Sequence, residues 1–176
     1  LIDCVAELLQ HGIVTPDGRL RAPENAPSNL PDALRRRIHA NNGGDVEFEL
    51  AGGVSLNQRD IRELQLASGA IRAGISILLK QAGITLQDLK RVLIAGGFGS
   101  FIRRNHAQRI GLIPPEIDHA KIRYVGNTSL SGARWALLSN TSRLHAETLA
   151  RQTRHVELSN DPDFAMEFAM AMHFPA

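Results

Sequence analysis

Reactive sulfur is nearly absent from this chain, which contains a single cysteine, Cys4, among 176 residues. One cysteine cannot form an internal disulfide, and it cannot supply the ligands of a cysteine zinc site or a four-cysteine iron–sulfur cluster. Long apolar runs are also missing, since no stretch approaches the roughly 18 consecutive apolar residues of a membrane span. These absences predict a cytoplasmic globular protein in which Cys4 is a buried, reduced thiol.

Aromatic residues are scarce as well, and the positive and negative charges nearly balance. Aromatic residues make up 5% of the chain, and the formal net charge is only +2. The arginines are scattered, whereas a nucleic-acid-binding surface typically gathers them into a basic patch. The densest basic run, Arg35 to Arg37, lies in a short predicted helix and indicates a solvated face. We therefore predict neither nucleic acid nor a membrane as a partner.

The start of the chain indicates an origin in a longer protein. The sequence begins at Leu1, without methionine, inside an amphipathic helical pattern, and it carries no secretory signal. The apolar fraction of 43% is that of an ordinary globular protein, and the length suits one large domain or two small ones. We expect a fragment of a longer protein.

Periodicity predicts a hairpin followed by one long helix. Alternating apolar residues predict a strand over 46–50, and Gly52 and Gly53 predict a hairpin turn into a second strand over 54–56. Steps of three and four residues predict a helix over 57–82 that ends at Gly83. Its predicted buried stripe consists of Ile61, Leu64, Ile71, Ile75 and Leu78.

The second half of the chain alternates between strand and helix patterns. Strands are predicted over 91–95, 122–125 and 155–158, and helices over 101–109, 129–139 and 142–152. A last helix carries Phe164, Phe168 and Met172 on one face. This alternation predicts an α/β fold with three layers, in which the preceding hairpin makes the sheet mixed.

The segment RVLIAGGFGS, residues 91–100, places Gly96, Gly97 and Gly99 between a predicted strand and a predicted helix. Such a turn lies at the carboxyl edge of a sheet, where open α/β folds bind their ligands. Without Cβ atoms, a flat purine or ribose can lie on the peptide plane, and helix N-terminal amides favour an anion. A tight strand-to-helix turn explains the same glycines without a ligand, so both interpretations stay open.

Two familiar glycine motifs can be tested against this segment. A P-loop requires Gly-Lys followed by Ser or Thr, and no such lysine follows the glycines. A dinucleotide fingerprint requires a third glycine, but Ile102 occupies that position. The P-loop is excluded, and the dinucleotide site is only weakly supported.

Two more segments carry candidate binding residues. The segment VGNTSLSGARWALL predicts a second strand that ends in glycine, with Asn127 behind it, so that the two strand ends line one cleft. Beside the apolar stripe of the long helix lie four polar or small residues: Gln65, Gly69, Arg72 and Ser76. Close helix packing explains the small residues as well as a ligand does. Arg72 needs an acceptor, most commonly an internal carboxylate.

A family resemblance rests on five segments in order: NQRDIRELQLASGAIRAGISILL, VLIAGGFGSFI, IGLIP, VGNTSLSGA and a closing segment that starts with VELS. Over nearly its whole length the chain resembles the C-terminal ATPase-like domain of reductive activators of corrinoid proteins. These activators belong to the superfamily of acetate and sugar kinases, heat-shock chaperones and actin. The resemblance implies a ribonuclease-H-like, actin-like ATPase half-domain with a mixed sheet flanked by helices. Residues 1–45 would then lead from a missing first half, and residues 46–176 would form the second subdomain.

The resemblance also implies a nucleotide site, with the glycine turn against adenosine and the long helix beside the nucleotide. The residues implied to bind are Gly96, Gly97, Phe98, Gly99, Ser100, Gln65, Arg72 and Asn127. Ser100 replaces the asparagine that the family often carries, and residues 128–130 depart from the family's run of small residues. ATP is the implied cofactor, with Mg²⁺ held mainly by the missing half.

The implied function is the ATP-driven restoration of the Co(I) state of a corrinoid protein. A ferredoxin-type [2Fe–2S] domain in the missing N-terminal part would carry the electrons, and a homodimer is an implied assembly. On this interpretation the fragment alone holds no catalytic residue and no metal ligand, and does not hydrolyse ATP competently.

Two other classes remain as alternatives. One is a nucleotide-free actin-like module for dimerisation or partner docking, which would use Phe164, Phe168 and Met172, although core packing explains these residues too. The other, more distant, is a nicotinamide-dependent oxidoreductase. The isolated histidines His106, His119 and His173 are predicted to be surface or capping residues.

Overall fold

The computed structural model describes residues 1–41, 43–97 and 101–175. Its helices are α1 (Ile2–Gln10), α2 (Asp32–Arg35), α3 (Gln58–Ala82), α4 (Arg104–Arg109), α5 (Thr128–Leu138), α6 (Asn140–Gln152) and α7 (Phe164–Ala171). Its strands are β1 (Ile38–Ala40), β2 (Val46–Ala51), β3 (Val54–Asn57), β4 (Val92–Ala95) and β5 (Ile122–Gly126). Short 3₁₀ turns lie at Pro23–Asn25, Leu86–Asp88, His119–Lys121 and Leu158–Asn160.

Strands β1, β2 and β3 form an antiparallel sheet in that order. The predicted hairpin is confirmed: Gly52 and Gly53 have φ of +60° and +78°, the left-handed backbone that a tight two-residue turn requires. Strand β1 was not predicted from the sequence. It pairs Ile38 with Phe48 of β2, so the sheet spans residue 46, where we expected a subdomain to begin. Three residues are too few to give a periodic signal.

Both ends of α3 are fixed by local hydrogen bonds, of which the sequence analysis predicted the cap at Gly83 but not the one at Asn57. The Asn57 side chain accepts from the backbone N–H groups of Arg59 and Asp60 at 2.9 and 3.1 Å. The Asp60 carboxylate in return accepts from the Asn57 N–H at 2.9 Å, which completes a capping box. At the other end Gly83 is left-handed, with φ of +64°.

The buried face of α3 differs from the prediction. Ile61 and Leu64 are buried as expected, but Ile71 and Leu78 are half-exposed. The reason is that α7 packs on the small-residue face of α3. A Cβ atom on Gly69 would lie 3.3 Å from Met172 Cγ, and one on Gly74 would lie 3.2 Å from Leu158 Cδ1. Close packing therefore accounts for both helix glycines.

The α/β fold class is as predicted, with parallel and antiparallel strands both present, but the strands pair in two sheets. Strands β4 and β5 form a separate parallel pair, so among the described residues the hairpin does not extend their sheet. Each sheet covers its own core. The first core holds Phe48, Leu56 and Ile61 together with α1, and the second holds Ile113, Ile117 and Ile122.

Two predicted elements change in the structure. The helix predicted over 101–109 begins only at Arg104, because Arg103 has extended backbone at φ −73° and ψ 131°. The strand predicted over 155–158 does not form: residues 153–157 pair with no strand, and a 3₁₀ turn starts at Leu158. The Leu158 side chain packs against Gly74 of α3, so this apolar residue serves helix packing.

Helices α5 and α6 follow one another around Ser139 and pack mainly on each other. Neither contains a buried residue, although both carry large apolar side chains. Within the described ranges, no helix has the length and apolar character to cross a membrane.

Candidate functional site

The ends of β4 and β5 meet at one edge of the parallel sheet. Ala95 is in register with Gly126, and the Gly96 N–H donates to the Gly126 carbonyl at 2.9 Å. Gly96 and Gly126 have φ of +119° and +69°, and residues with a side chain rarely adopt these values. Among the residues that the structure describes, no heavy atom beyond the adjoining backbone lies within 4 Å of a Cβ built on Gly96, Gly97 or Gly126. The two strands therefore present bare peptide to open space, as a flat ligand requires.

Three predicted site residues, Phe98, Gly99 and Ser100, lie outside the described residues. Their contacts with a nucleotide stay a prediction. Chain connectivity alone places them between the Gly97 strand end and α4.

Asn127 lies directly after β5 and caps α5. Its side-chain oxygen accepts from the Leu130 N–H at 3.1 Å, and its backbone carbonyl accepts from the Ser131 N–H at 3.1 Å. The cap orients the first turn of α5 beside the Gly126 strand end. Asn127 thus stands next to the bare peptide of both strands, where the sequence predicted a binding residue.

Gln65 is placed elsewhere, inside the protein. Its side chain is 1% exposed, and its amide nitrogen donates to the carbonyls of Met172 at 2.7 Å and Asp17 at 3.2 Å. Gly18 lies against it so closely that a Cβ there would be 2.2 Å from the Gln65 side-chain oxygen. These contacts give Gln65 a structural role that ties α3 to the chain end and to the loop at residue 17.

Arg72 lies at a groove between α3 and α7. Its guanidinium donates to the Met170 carbonyl at 3.4 Å and packs over Gly111. The groove has a volume of about 750 Å³ and is closed by residues 84–86 and 114–116. The acceptor that the sequence led us to expect was a carboxylate, and the structure supplies a backbone carbonyl. Within the described part of the chain, neither Arg72 nor Gln65 forms a hydrogen bond to the two strand ends.

One cluster was missed by the sequence analysis. His106 of α4 is buried, and its ring nitrogens lie 2.8 Å from Asp3 and 2.8 Å from Glu7 of α1. The prediction that His106 is a surface or capping residue is therefore wrong, while His119 and His173 are exposed. The available signal was the Asp3–Glu7 pair, whose four-residue spacing places both carboxylates on one helix face.

Tyr124 of β5 fixes the segment that leads into α4. Its hydroxyl donates to the Ile102 carbonyl, and the Arg104 guanidinium lies 5.4 Å from its ring centroid. Burial raises the pKa of Tyr124, with the nearby Arg104 charge opposing that shift, so the phenol stays protonated and can donate. The chain on the far side of residues 98–100 is thus attached to the same parallel sheet as Gly96.

This α/β fold, with two parallel strands that end in glycine side by side, is that of an actin-like domain of the ASKHA superfamily. A family model described as the C-terminal domain of RACo, the ASKHA domain, matches residues 1–176. The chain belongs to this family.

Relatives and a solved structure agree with this assignment. The chain is 31% identical to the corrinoid activation enzyme RamQ of Eubacterium limosum over 180 aligned positions, which cover 99% of this chain and 30% of that protein. It is 34% identical over 92 positions to the [Co(II) methylated amine-specific corrinoid protein] reductase of Methanosarcina barkeri, covering 52% of this chain and 17% of that protein.

A solved structure of a reductive activator for corrinoid, iron-sulfur protein superposes with a TM-score of 0.83 at 35% identity. The match covers 99% of this chain and 27% of that one. The chain thus spans less than a third of the length of the related proteins it matches.

Proposed function

We propose that this chain is the C-terminal nucleotide-binding part of an ATP-dependent reductive activator that restores the Co(I) state of a corrinoid protein. Its relatives include a corrinoid activation enzyme and a corrinoid protein reductase, which supports a corrinoid protein as the partner. The observation that carries the nucleotide proposal is the open, side-chain-free edge at Gly96, Gly97 and Gly126.

In this proposal the purine nucleoside lies on the exposed peptide planes of the two strand ends, with Asn127 at its border. The predicted contacts of Phe98, Gly99 and Ser100 complete the turn. The Gln65 amide nitrogen and the Arg72 guanidinium already donate to backbone carbonyls within the protein, so these residues support the site through the position of α3. The phosphates and Mg²⁺ are assigned to other parts of the protein, because this edge offers backbone and an amide side chain but no cluster of carboxylates.

Electron transfer is also assigned to other parts of the protein. Burial raises the pKa of the Cys4 thiol, which disfavours the thiolate that binds metals, and a single thiolate cannot hold a [2Fe–2S] cluster. ATP then acts through binding energy: a nucleotide that binds one arrangement of the protein more tightly shifts the population towards it. We propose that the favoured arrangement is the one that docks productively on the corrinoid protein.

Titration calorimetry of the full-length protein with a non-hydrolysable ATP analogue tests the site. Gly97→Val adds a branched side chain at the open edge, and we expect it to weaken binding at least about tenfold, equivalent to 1.4 kcal/mol. Gly43→Val, in the exposed turn before β2, is the matched control and should bind like the wild type. Equal affinities for Gly97→Val and the wild type would exclude this edge as the site.

The exposed apolar side chains of α5 and α6 favour a second candidate, a nucleotide-free module for dimerisation or partner docking. The predicted stripe of Phe164, Phe168 and Met172 does not supply this surface. The rings of Phe164 and Phe168 stack on each other with their centroids 6.0 Å apart, and Met172 packs on Gly69. Light scattering with and without ATP separates the candidates. If the protein binds no nucleotide and dimerises equally with and without ATP, the module is favoured.

A further inference from the structure

His106 bridges two carboxylates from a buried position. Its ring is 2% exposed, with Nδ1 at 2.8 Å from Asp3 Oδ1 and Nε2 at 2.8 Å from Glu7 Oε1. An ionised carboxylate can only accept a hydrogen bond, so each ring nitrogen must donate. Both nitrogens can donate at the same time only in the imidazolium form.

The surroundings of His106 supply further charge and further contacts between the same two helices. The Arg103 guanidinium lies 3.7 Å from the second Asp3 oxygen, and Arg109 donates to the Ala6 carbonyl at 3.4 Å. On the outer side of α1, His11 lies 4.0 Å from Glu7. We call His106, Asp3 and Glu7 the imidazolium clamp. A buried charge that loses its partners is strongly destabilising, so the three groups depend on one another.

The imidazolium clamp lies close to the proposed nucleotide site along the chain. His106 lies in the first turn of α4, two residues beyond its start at Arg104. On one side of residues 98–100, Gly96 is held by its hydrogen bond to Gly126. On the other side, the chain is fixed by the Tyr124–Ile102 hydrogen bond and, through α4, by the clamp on α1.

We propose that His106 is a positioning residue, which as an imidazolium holds α4 on α1 and thereby sets the far side of the glycine turn for nucleotide binding. The positioning role rests on the proposed function, whereas the charge of the clamp does not. The two claims need separate measurements.

The charge is tested by nitrogen–proton correlation spectroscopy of the full-length protein labelled at histidine, with His106→Gln used to assign the signals. We expect both ring nitrogens of His106 to carry protons that exchange slowly, because the ring is buried. A single protonated nitrogen would overturn the imidazolium clamp.

Isosteric variants test the hydrogen bonds one at a time. An Asn side chain at 106 places its amide near the original Nδ1 and keeps the bond to Asp3, whereas Gln places its amide near Nε2 and keeps the bond to Glu7. We expect both variants to unfold at temperatures between those of the wild type and of His106→Leu, which removes both bonds. Glu7→Gln should lower the melting temperature of the wild type but add little loss to His106→Asn. Strictly additive losses would overturn the clamp.

Nucleotide affinity tests the positioning role at a temperature where every variant remains folded. We expect His106→Leu to bind the ATP analogue at least about threefold more weakly, within the range of residues that act indirectly. The intermediate isosteres should recover part of the loss, and His119→Leu, at an exposed histidine, should bind like the wild type. Unchanged affinity of a destabilised His106→Leu would overturn the positioning role alone. Absence of binding by the wild type would overturn the proposed function and the positioning role together, while the spectroscopic result would still decide the clamp.

Discussion

Two regions of this molecule both contain helices that the sequence predicts, but their side chains differ in exposure to solvent. The antiparallel sheet, α1 and the first turns of α3 share one continuous core, in which Ile61 is 0% exposed. In α5 and α6 no residue is buried, and Leu137 of α5 is 76% exposed. We call these the sheet core and the α5–α6 pair.

The difference shows that sequence patterns predict helices more readily than they predict partners. In α3 the buried residues between Ile61 and Ile77 form one face, and that face is covered by the sheet core and by α7. In α5 the apolar residues spread around the helix, a pattern typical of helices with neighbours on several sides. Among the described residues α6 is its main neighbour.

The largest predicted effect separates the two regions directly. Ile61→Ala leaves a cavity in the sheet core and should lower the free energy of unfolding by about 2–5 kcal/mol. Leu137→Ala removes an exposed side chain and should change it by no more than about 0.5 kcal/mol. Denaturant-dependent hydrogen exchange of α3 and α5 peptides in the full-length protein measures both. A large loss for Leu137→Ala would break the comparison, because it would show that α5 is covered in the intact protein.

A glycine of α3 that faces α7 and a glycine of the α5–α6 pair should respond to an added side chain in opposite directions. Gly69→Val places methyl groups against Met172 and the Ala171 backbone, and we expect a loss of about 1–3 kcal/mol from overpacking. Gly132→Ala lies inside α5, where a Cβ meets no atom of the described residues within 4 Å, and should stabilise that helix by up to about 1 kcal/mol. Thermal unfolding of both variants measures these two changes in stability. Destabilisation by Gly132→Ala would place an unseen neighbour on α5.

The features predicted correctly from the sequence depend on residues close together along the chain. The Gly52–Gly53 turn and the Gly83 cap of α3 need only a few neighbours, and each has the predicted conformation. The glycine ends of β4 and β5 also lie side by side, because parallel pairing joins two locally visible strands.

The features that were missed depend on distant parts of the chain. The buried face of α3 is set by α7, and Gln65 bonds to a carbonyl 107 positions away. The clamp joins residues 103 positions apart, and His106 alone gives no periodic signal that could indicate its burial. One histidine looks the same in sequence on a surface and in a core, since only the fold brings Asp3 and Glu7 to it.

Helix caps offer a finer comparison of the two regions. Asn57 caps α3 with two hydrogen bonds inside a capping box, and Asn57→Ala should cost about 1 kcal/mol. Ser139 caps α6 through one bond of 3.2 Å to Ser142, and Ser139→Ala should cost about 0.5 kcal/mol. The unfolding free energies of the two variants measure the ratio. An equal or larger loss for Ser139→Ala would mean that α6 is coupled to the core more strongly than its exposure indicates.

The smallest effect concerns two carboxylates, the half-buried Glu47 of β2 and the exposed Glu157 beyond α6. Hydrogen bonds from Ser55, and then from Asn41, lower the pKa of Glu47, and a hydrogen bond from Ser159 lowers the pKa of Glu157. A carboxyl whose pKa is lower in the folded state stabilises the protein above the unfolded pKa of about 4.3, and this contribution is lost as the pH falls through the folded pKa.

The two carboxylates should nevertheless respond differently, because their partners differ in distance along the chain. Ser55 lies on the neighbouring strand, at 2.6 Å, so unfolding of the sheet breaks its bond to Glu47. Ser159 is two residues from Glu157, at 2.7 Å, and a local turn can keep that bond when the helices separate. Acid titration of thermal stability should therefore become less steep below about pH 4.3 in Glu47→Gln and remain nearly unchanged in Glu157→Gln. The reverse order would show that the segment after α6 unfolds together with the core.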